Sequence, residues 1–252
     1  MRIAIALVSL ALAGATAPAR AADHGEALPK FPWTFNGPFG TYDRAQLQRG
    51  YQVYSEVCSG CHSMKELYYR NLQEIGLTAE QVKQVAATFQ VPGGLDDEGK
   101  QFERAALPSD HFRSPYPNDK AARAANGGAL PPDQSVIIKA REGGADYVRA
   151  LLNGYVDPPA GVKVGDGLYY NEWFAGKQLA MPKVLNDGQV TYADGTKSTV
   201  EQMSTDATAF LAWAAEPEME RRKQMGIKWV SIFVALTGLT YMVKKKIWKD
   251  VH

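Results

Sequence analysis

The chain has 252 residues, 45% of them hydrophobic and 22% charged, with a formal net charge of +1. No basic stripe stands out beyond the flanks of a C-terminal apolar segment, which argues against a nucleic-acid binder. Without a leader about 230 residues remain, enough for one elaborated domain or two small ones with ample apolar content for a core.

Residues 1 to 22 open with Met1-Arg2, continue with the apolar run Ile3 to Ala15 and end in Ala19-Arg20-Ala21. This is the pattern of a secretory signal peptide cleaved near Ala21 or Ala22, and the run is short for a membrane span. The body of the protein is therefore expected outside the cytoplasm. Gly40-Thr41 then precedes a helical pattern in which Leu47, Tyr51, Tyr54 and Cys58 recur at steps of four, three and four, with Thr41 as N-cap. Gly50, on the next face, leaves room for another helix to approach closely. The tyrosines read as core.

That helix leads into Cys58-Ser59-Gly60-Cys61-His62, which holds the only two cysteines in the chain. Two thiols at this spacing, followed at once by an imidazole, suit covalent c-type haem attachment. Each thiol adds to one vinyl group, and the turn brings the His62 ring under the iron. A disulfide between Cys58 and Cys61 would close a small, strained loop and leave His62 unexplained. A zinc site wants four ligands, commonly from two such pairs. A thioredoxin-like pair wants a βαβ context.

Thr78 opens a second helix, with Gln81 completing a capping box and Val82, Val85, Ala86 and Phe89 on one face; Pro92-Gly93-Gly94 stops it. Asp96, Asp97, Glu98 and Glu103 follow as an acidic cluster, read as a solvated face or as a dock for a basic electron-transfer partner. A short helical piece spans 119–126. Asp133 is expected to cap a helix running to Arg141, ended by Gly143-Gly144, and another helix runs from Asp146 to Leu152. Residues 157–176 form a Pro/Gly loop carrying Tyr169, Tyr170, Trp173 and Phe174, able to wall a cofactor or fill a core. Asp187-Gly188 and Asp194-Gly195 flank Val190-Thr191-Tyr192, which predicts a β-hairpin. Ser204 or Thr205 is expected to cap the helix that contains Phe210, Leu211 and Trp213.

The last feature is an apolar stretch over 226–247, about 33 Å as a helix, long enough to cross a bilayer with Lys228 snorkelling outward. Lys244, Lys245, Lys246 and Lys249 follow it, while Arg221, Arg222 and Lys223 precede it. Basic charge on both sides leaves the positive-inside rule undecided. The leader then implies a C-terminus in the cytoplasm. The expected layout is a signal peptide over 1–21, a haem domain over 22–220, an anchor over 226–247 and a tail over 248–252.

A haem held by His62 leaves one axial position, which decides between electron transfer and ligand chemistry. Met64 is too near His62 to reach the opposite face, and Met219, Met225 and Met242 lie by or in the span. Met181, after the Gly-rich loop, is the best choice, with His111 and Met203 behind it.

Cys58-Ser59-Gly60-Cys61-His62-Ser63-Met64, Tyr116-Pro117-Asn118, Gly128-Ala129-Leu130-Pro131-Pro132-Asp133, Trp213-Ala214-Ala215-Glu216-Pro217 and the C-terminal span, in that order, resemble the cytochrome c1 family. These are the haem c subunits of the quinol:cytochrome c reductase (cytochrome bc1) complex. The resemblance implies a mainly α fold: a class I cytochrome c-like haem domain with loop insertions, a small β-hairpin and one C-terminal transmembrane helix. It implies one haem c joined to Cys58 and Cys61, with His62 and Met181 as iron ligands. Arg141 would meet a haem propionate, and Leu130, Pro131 and Tyr147 would line the pocket. Some bacterial members carry a disulfide near the distal ligand; this chain cannot, so the loop before Met181 is expected to be held by packing alone.

The implied function is a one-electron relay from a Rieske iron-sulfur protein to a cytochrome c, with the span anchored on cytochrome b in a dimeric complex. The implied location is a bacterial inner membrane, haem domain periplasmic. No acid, base or nucleophile is required of this chain. Two other readings stand beside it. One is a membrane-tethered gas sensor or peroxidase with an open distal site, with His111 as the obvious polar group; the other is a free-standing tethered electron shuttle. The expected core pairing sets the helix before Cys58 against the helix containing Phe210 to Trp213.

Overall fold

A computed structural model describes residues 27–250, so the predicted leader lies outside the described residues. The fold is mainly helical, with two small antiparallel hairpins and one long C-terminal helix.

Helix α1, Arg44–Val53, starts at Asp43 rather than at Thr41: the Asp43 carboxylate accepts from the amides of Ala45 and Gln46. An aspartate in the N-cap position also favours the positive end of the helix dipole. Its inner face presents Leu47, Gly50 and Val53 to helix α5, Val200–Ala215. Gly50 makes the close approach expected of it, since a Cβ there would sit 2.0 Å from the carbonyl oxygen of Asp206. Arg49 secures the crossing through its guanidinium, bonded to the wholly buried Asp206 and to Asp194. Phe210 of α5 is fully buried and meets the Tyr51 and Tyr54 rings at 5.6 and 5.7 Å. The expected α1–α5 pairing is thus the centre of the core.

Helix α5 begins at Thr199, whose hydroxyl accepts from the Gln202 amide. Ser204 and Thr205 are not its caps. They lie buried inside it, with their hydroxyls donating to the Glu201 carbonyl. Helix α2, Ala79–Ala87, has the predicted capping box between Thr78 and Gln81. The segment after it pairs as a hairpin instead of ending in a plain loop: β1, Gln90–Leu95, lies antiparallel to β2, Gln101–Ala105, with a bulge between Pro92 and Gly94. Gly93 permits this because the Phe102 ring occupies the space of its missing Cβ. The acidic run forms the hairpin tip, where the Asp96 carboxylate caps the turn by accepting from the Glu98 and Lys100 amides.

Helix α3, Asp119–Ala125, is capped by Asn118. The helix expected from Asp133 to Arg141 does not form, and residues 135–140 are a series of turns. Two causes act together. The consecutive β-branched Val136, Ile137 and Ile138 disfavour helix, and the Asp133 carboxylate is shared with a distant segment. Helix α4, Gly144–Asn153, packs on α5. The second hairpin joins β3, Tyr169–Tyr170, to β4, Gln178–Leu179. No strand forms at Val190 to Tyr192. Turns occur at both Asp-Gly sites, and Val190 and Tyr192 are buried with Val53, Leu185, Met203 and Ala207 in a second core cluster. Side-chain burial there outweighs the hairpin signal.

Helix α6, Met219–Ile247, has 29 residues and is long and apolar enough to cross a membrane. Ser231, Thr237 and Thr240 donate their hydroxyls to carbonyls one turn earlier, which satisfies them in an apolar medium. Its first turn belongs to the globular body. Met219 is buried, Glu220 accepts from the Tyr42 amide and the Arg44 guanidinium, and Lys223 donates to the carbonyls of Phe35 and Gly40.

Candidate functional site

Beyond Val53 the α1 helix widens into a π-helical turn, Tyr54–Cys58, closed by the Ser59 amide on the Tyr54 carbonyl at 2.8 Å. Such turns are frequent at functional sites, because they re-aim side chains without ending the helix. Here the turn carries the motif. The amides of Cys61 and His62 both return to the Cys58 carbonyl, at 3.1 and 2.9 Å, so both thiols and the imidazole leave one tight loop. Both cysteines are free thiols, Cys58 half-buried and Cys61 exposed. Burial, reinforced by the neighbouring Cys61, pushes the Cys58 thiol up to about 12.

His62 has a defined tautomer. Its Nδ1 lies 2.8 Å from the Pro132 carbonyl oxygen, which can only accept, so Nδ1 carries the proton and Nε2 keeps its lone pair. Burial lowers the imidazole pKa, against the opposing effects of the Pro132 bond and the Asp133 charge, which favours the neutral, ligating form. A carbonyl on the far nitrogen is the usual way a protein orients a metal-bound imidazole.

Asp133, next to Pro132, holds that carbonyl in place. Its carboxylate accepts from the Ser63 hydroxyl at 2.7 Å, the Lys65 amide at 2.9 Å and the Ser135 amide at 2.9 Å. Burial opposes its charge, yet these bonds outweigh it and keep the carboxyl below the usual range. The Gln134 amide adds a bond to the Ser63 carbonyl at 2.8 Å. Segments 62–66 and 131–135 are therefore clamped together. Beside them, Cys61, Leu130 and Pro131 line a cleft of about 820 Å³ whose other wall includes His111 and Tyr116. Leu130 is 36% exposed and Pro131 half-buried.

Of the other predicted residues, Arg141 and Tyr147 lie at the start of α4 and Met181 near its far end. Tyr147 is buried, and its hydroxyl feels the charge of the exposed Arg141. Burial, and next the neighbouring Tyr147, raises the pKa of Tyr155. The Tyr155 hydroxyl in turn donates to the Met181 carbonyl at 2.9 Å. That hydrogen bond joins Tyr155 to Met181, which is half-buried. Of the two rival residues, only His111 lies on the cleft beside Cys61. Met203 is fully buried in the second core cluster, and His111 stacks on Tyr68 at 3.9 Å in an isolated β-bridge.

Sequence reasoning missed Pro132 and Asp133 as supports of His62, Tyr155 as the partner of the Met181 carbonyl, and Asn171 as the tie of the preceding loop to α4. For Asp133 the signal was present in its suitability as a cap, but the amide it caps lies in part across the fold. The loop before Met181 is not held by packing alone. Hydrogen bonds from Asn171 tie it to α4.

Two thiols, a neutral imidazole with one nitrogen already committed, and a helical body on one membrane-length helix define the class as an anchored haem-binding protein. Among the described residues no cluster of three His, Cys, Asp or Glu side chains is placed to hold a metal ion, which leaves no zinc-type ligand set there. The profile of the Cytochrome C1 family matches residues 33–251, and the chain belongs to that family, whose members are haem electron-transfer subunits of the bc1 complex. It is 52% identical over 226 residues to "Cytochrome c1-2, heme protein, mitochondrial" of Solanum tuberosum, covering 89% of this chain and 87% of that protein. It is 44% identical over 258 residues to "Cytochrome c1" of Rhodospirillum rubrum, covering 96% and 94%. It is 45% identical over 274 residues to "Cytochrome b/c1" of Bradyrhizobium diazoefficiens, covering 99% of this chain and 40% of that protein. The mainly helical fold with small two-stranded sheets agrees with this family.

Proposed function

We propose that the chain is the one-electron exit of a quinol:cytochrome c reductase, taking electrons from a Rieske [2Fe-2S] protein and giving them to a cytochrome c. The reading rests above all on His62, whose Nδ1 is engaged by Pro132 and whose Nε2 is free to bind iron. Haem c, when bound, supplies a single low-spin iron cycling between ferric and ferrous states. The protein's own residues do the rest. Cys58 and Cys61 would hold the haem through two thioethers, and His62 and Met181 would ligate its iron. The soft thioether of Met181 favours the ferrous state and raises the potential. Arg141 balances a propionate charge, while Leu130, Pro131 and Tyr147 exclude water.

Residues 1–21 act as the export signal, which places the haem domain in the periplasm and the end of α6 in the cytoplasm of a bacterial inner membrane. The helix packs on cytochrome b within a dimeric complex. The relative whose name joins the two cytochromes, matched over 40% of its length, supports that partner.

The test is the optical spectrum of the haem-loaded chain, oxidised and reduced, with and without carbon monoxide, for wild type and Met181→Leu. The expected wild type is low-spin with a sulfur-to-iron charge-transfer band and is unmoved by carbon monoxide, properties lost in Met181→Leu. A wild type that binds carbon monoxide readily, with no change in Met181→Leu, refutes the distal assignment and favours ligand chemistry.

A further inference from the structure

Asn171 lies in the Pro/Gly loop, carries no charge and is fully buried. Burying a carboxamide is costly unless both ends are bonded, and here both are. Its Nδ2 donates to the Leu151 carbonyl in the last turn of α4 at 2.8 Å; its Oδ1 accepts from the amides of Trp173 and Phe174 at 3.0 and 3.2 Å. Its own amide donates to the Lys177 carbonyl at 2.9 Å, and the next amide, of Glu172, donates to the Gly154 carbonyl at 3.0 Å. Lys177 adopts a φ of 61°, the one positive value at a non-glycine residue among the described residues. Such strain persists only where surrounding bonds over-determine the backbone. Gly154 completes the seat, since a Cβ there would lie 2.4 Å from Trp173 Cδ1.

The consequence falls on Met181. The loop held by Asn171 is flanked by β3 and β4, paired Tyr169 to Leu179 and Tyr170 to Gln178, and Met181 follows β4 by two residues. Its carbonyl is tied by Tyr155, the residue after Gly154. Met181 is thus referenced to the end of α4 twice, once through the hairpin and once directly. Helix α4 packs on α5 and α5 on α1, the helix that presents Cys58 and His62.

We propose that Asn171 is the positioning residue for Met181: its carboxamide staples the 169–179 hairpin to the end of α4 and so keeps the thioether at the iron. This rests on Met181 as the distal ligand.

The test uses the full haem-loaded chain in detergent and compares wild type, Met181→Leu, Asn171→Ala and Asn171→Ser. Serine keeps a hydroxyl for the Trp173 and Phe174 amides but gives up the reach to Leu151. Readouts are carbon monoxide binding to the ferrous form, the charge-transfer band and the reduction potential, with helical circular dichroism as the check on folding. For Asn171→Ala the fraction of protein with Met181 off the iron is expected to rise about tenfold or more, seen as new carbon monoxide binding, a weakened band and a lower potential. Asn171→Ser is expected to fall between it and wild type, and it carries the test where Asn171→Ala does not fold. A folded variant that remains closed to carbon monoxide with its band intact overturns the inference alone. A wild type as open as Met181→Leu overturns the ligand assignment, and the inference with it.

Discussion

Replacing Gly50 with alanine tests the central helix crossing. In an unconstrained helix the change stabilises by about 1 kcal/mol, since alanine has the better propensity. Here the added Cβ would lie 2.0 Å from the Asp206 carbonyl oxygen and 2.7 Å from Phe210 Cβ. Both obstacles are close to the backbone, so neither rotates away. To open the 2.0 Å approach to the 3.4 Å of ordinary contact, α1 and α5 must part by about 1.4 Å. That motion lengthens the Arg49–Asp206 bonds of 3.0 and 3.2 Å and loosens Phe210 against Tyr51 and Tyr54. Overpacking of this kind costs about 1–3 kcal/mol, and a 2.0 Å approach to backbone puts it at the upper end, so a net loss of about 2 kcal/mol is expected after the propensity gain. Guanidinium unfolding of the full chain in detergent, followed by tryptophan fluorescence, reads it, because Trp213 is buried in the same core. Equal or greater stability for Gly50→Ala would refute the close-approach argument.

Asp133→Ala removes the acceptor shared by Ser63, Lys65 and Ser135, and loss of these charge-assisted bonds is expected to cost about 2 kcal/mol. It also frees the Pro132 carbonyl from His62, making the imidazole a weaker donor; redox titration should find a higher midpoint potential, and an unchanged potential would detach Asp133 from His62. Asp110 accepts from both terminal nitrogens of Arg104, at 2.6 and 2.8 Å, and this pairing holds its carboxyl down at about 2. The charged form is thus favoured in the fold, so the contribution is complete above the unfolded value of about 3.9 and disappears as pH falls towards 2. The stability difference between wild type and Asp110→Asn, measured by denaturant unfolding, should therefore be constant above about pH 5 and shrink below pH 4; a difference that persists to pH 2 would contradict this.

Features whose cause is local in sequence were legible from it. The Thr78–Gln81 box and the thiol–thiol–imidazole loop each carry their reason within a few residues. Features whose cause lies across the fold were not. Asp133 looks like a cap from its neighbours and acts largely as a clamp because Ser63 and Lys65 arrive from elsewhere. Pro92-Gly93-Gly94 reads as a helix stop, and it becomes a strand because the Phe102 ring covers Gly93. Val190 and Tyr192 have strand chemistry and are used as core plugs instead. Asn171 makes a local Asx turn with the Trp173 and Phe174 amides, but its bond to the Leu151 carbonyl lies across the fold and nothing local announces it.

The first turn of α6 lies inside the body, with Met219 buried and Glu220 and Lys223 bonded to residues 35–44. No slack linker therefore separates head from anchor. A head mounted in this way cannot swing on its helix as a tethered shuttle does; its tilt to the bilayer is inherited from the helix. Reach and travel must then belong to the molecules that exchange electrons with it, while this chain serves as the fixed terminal at which they call.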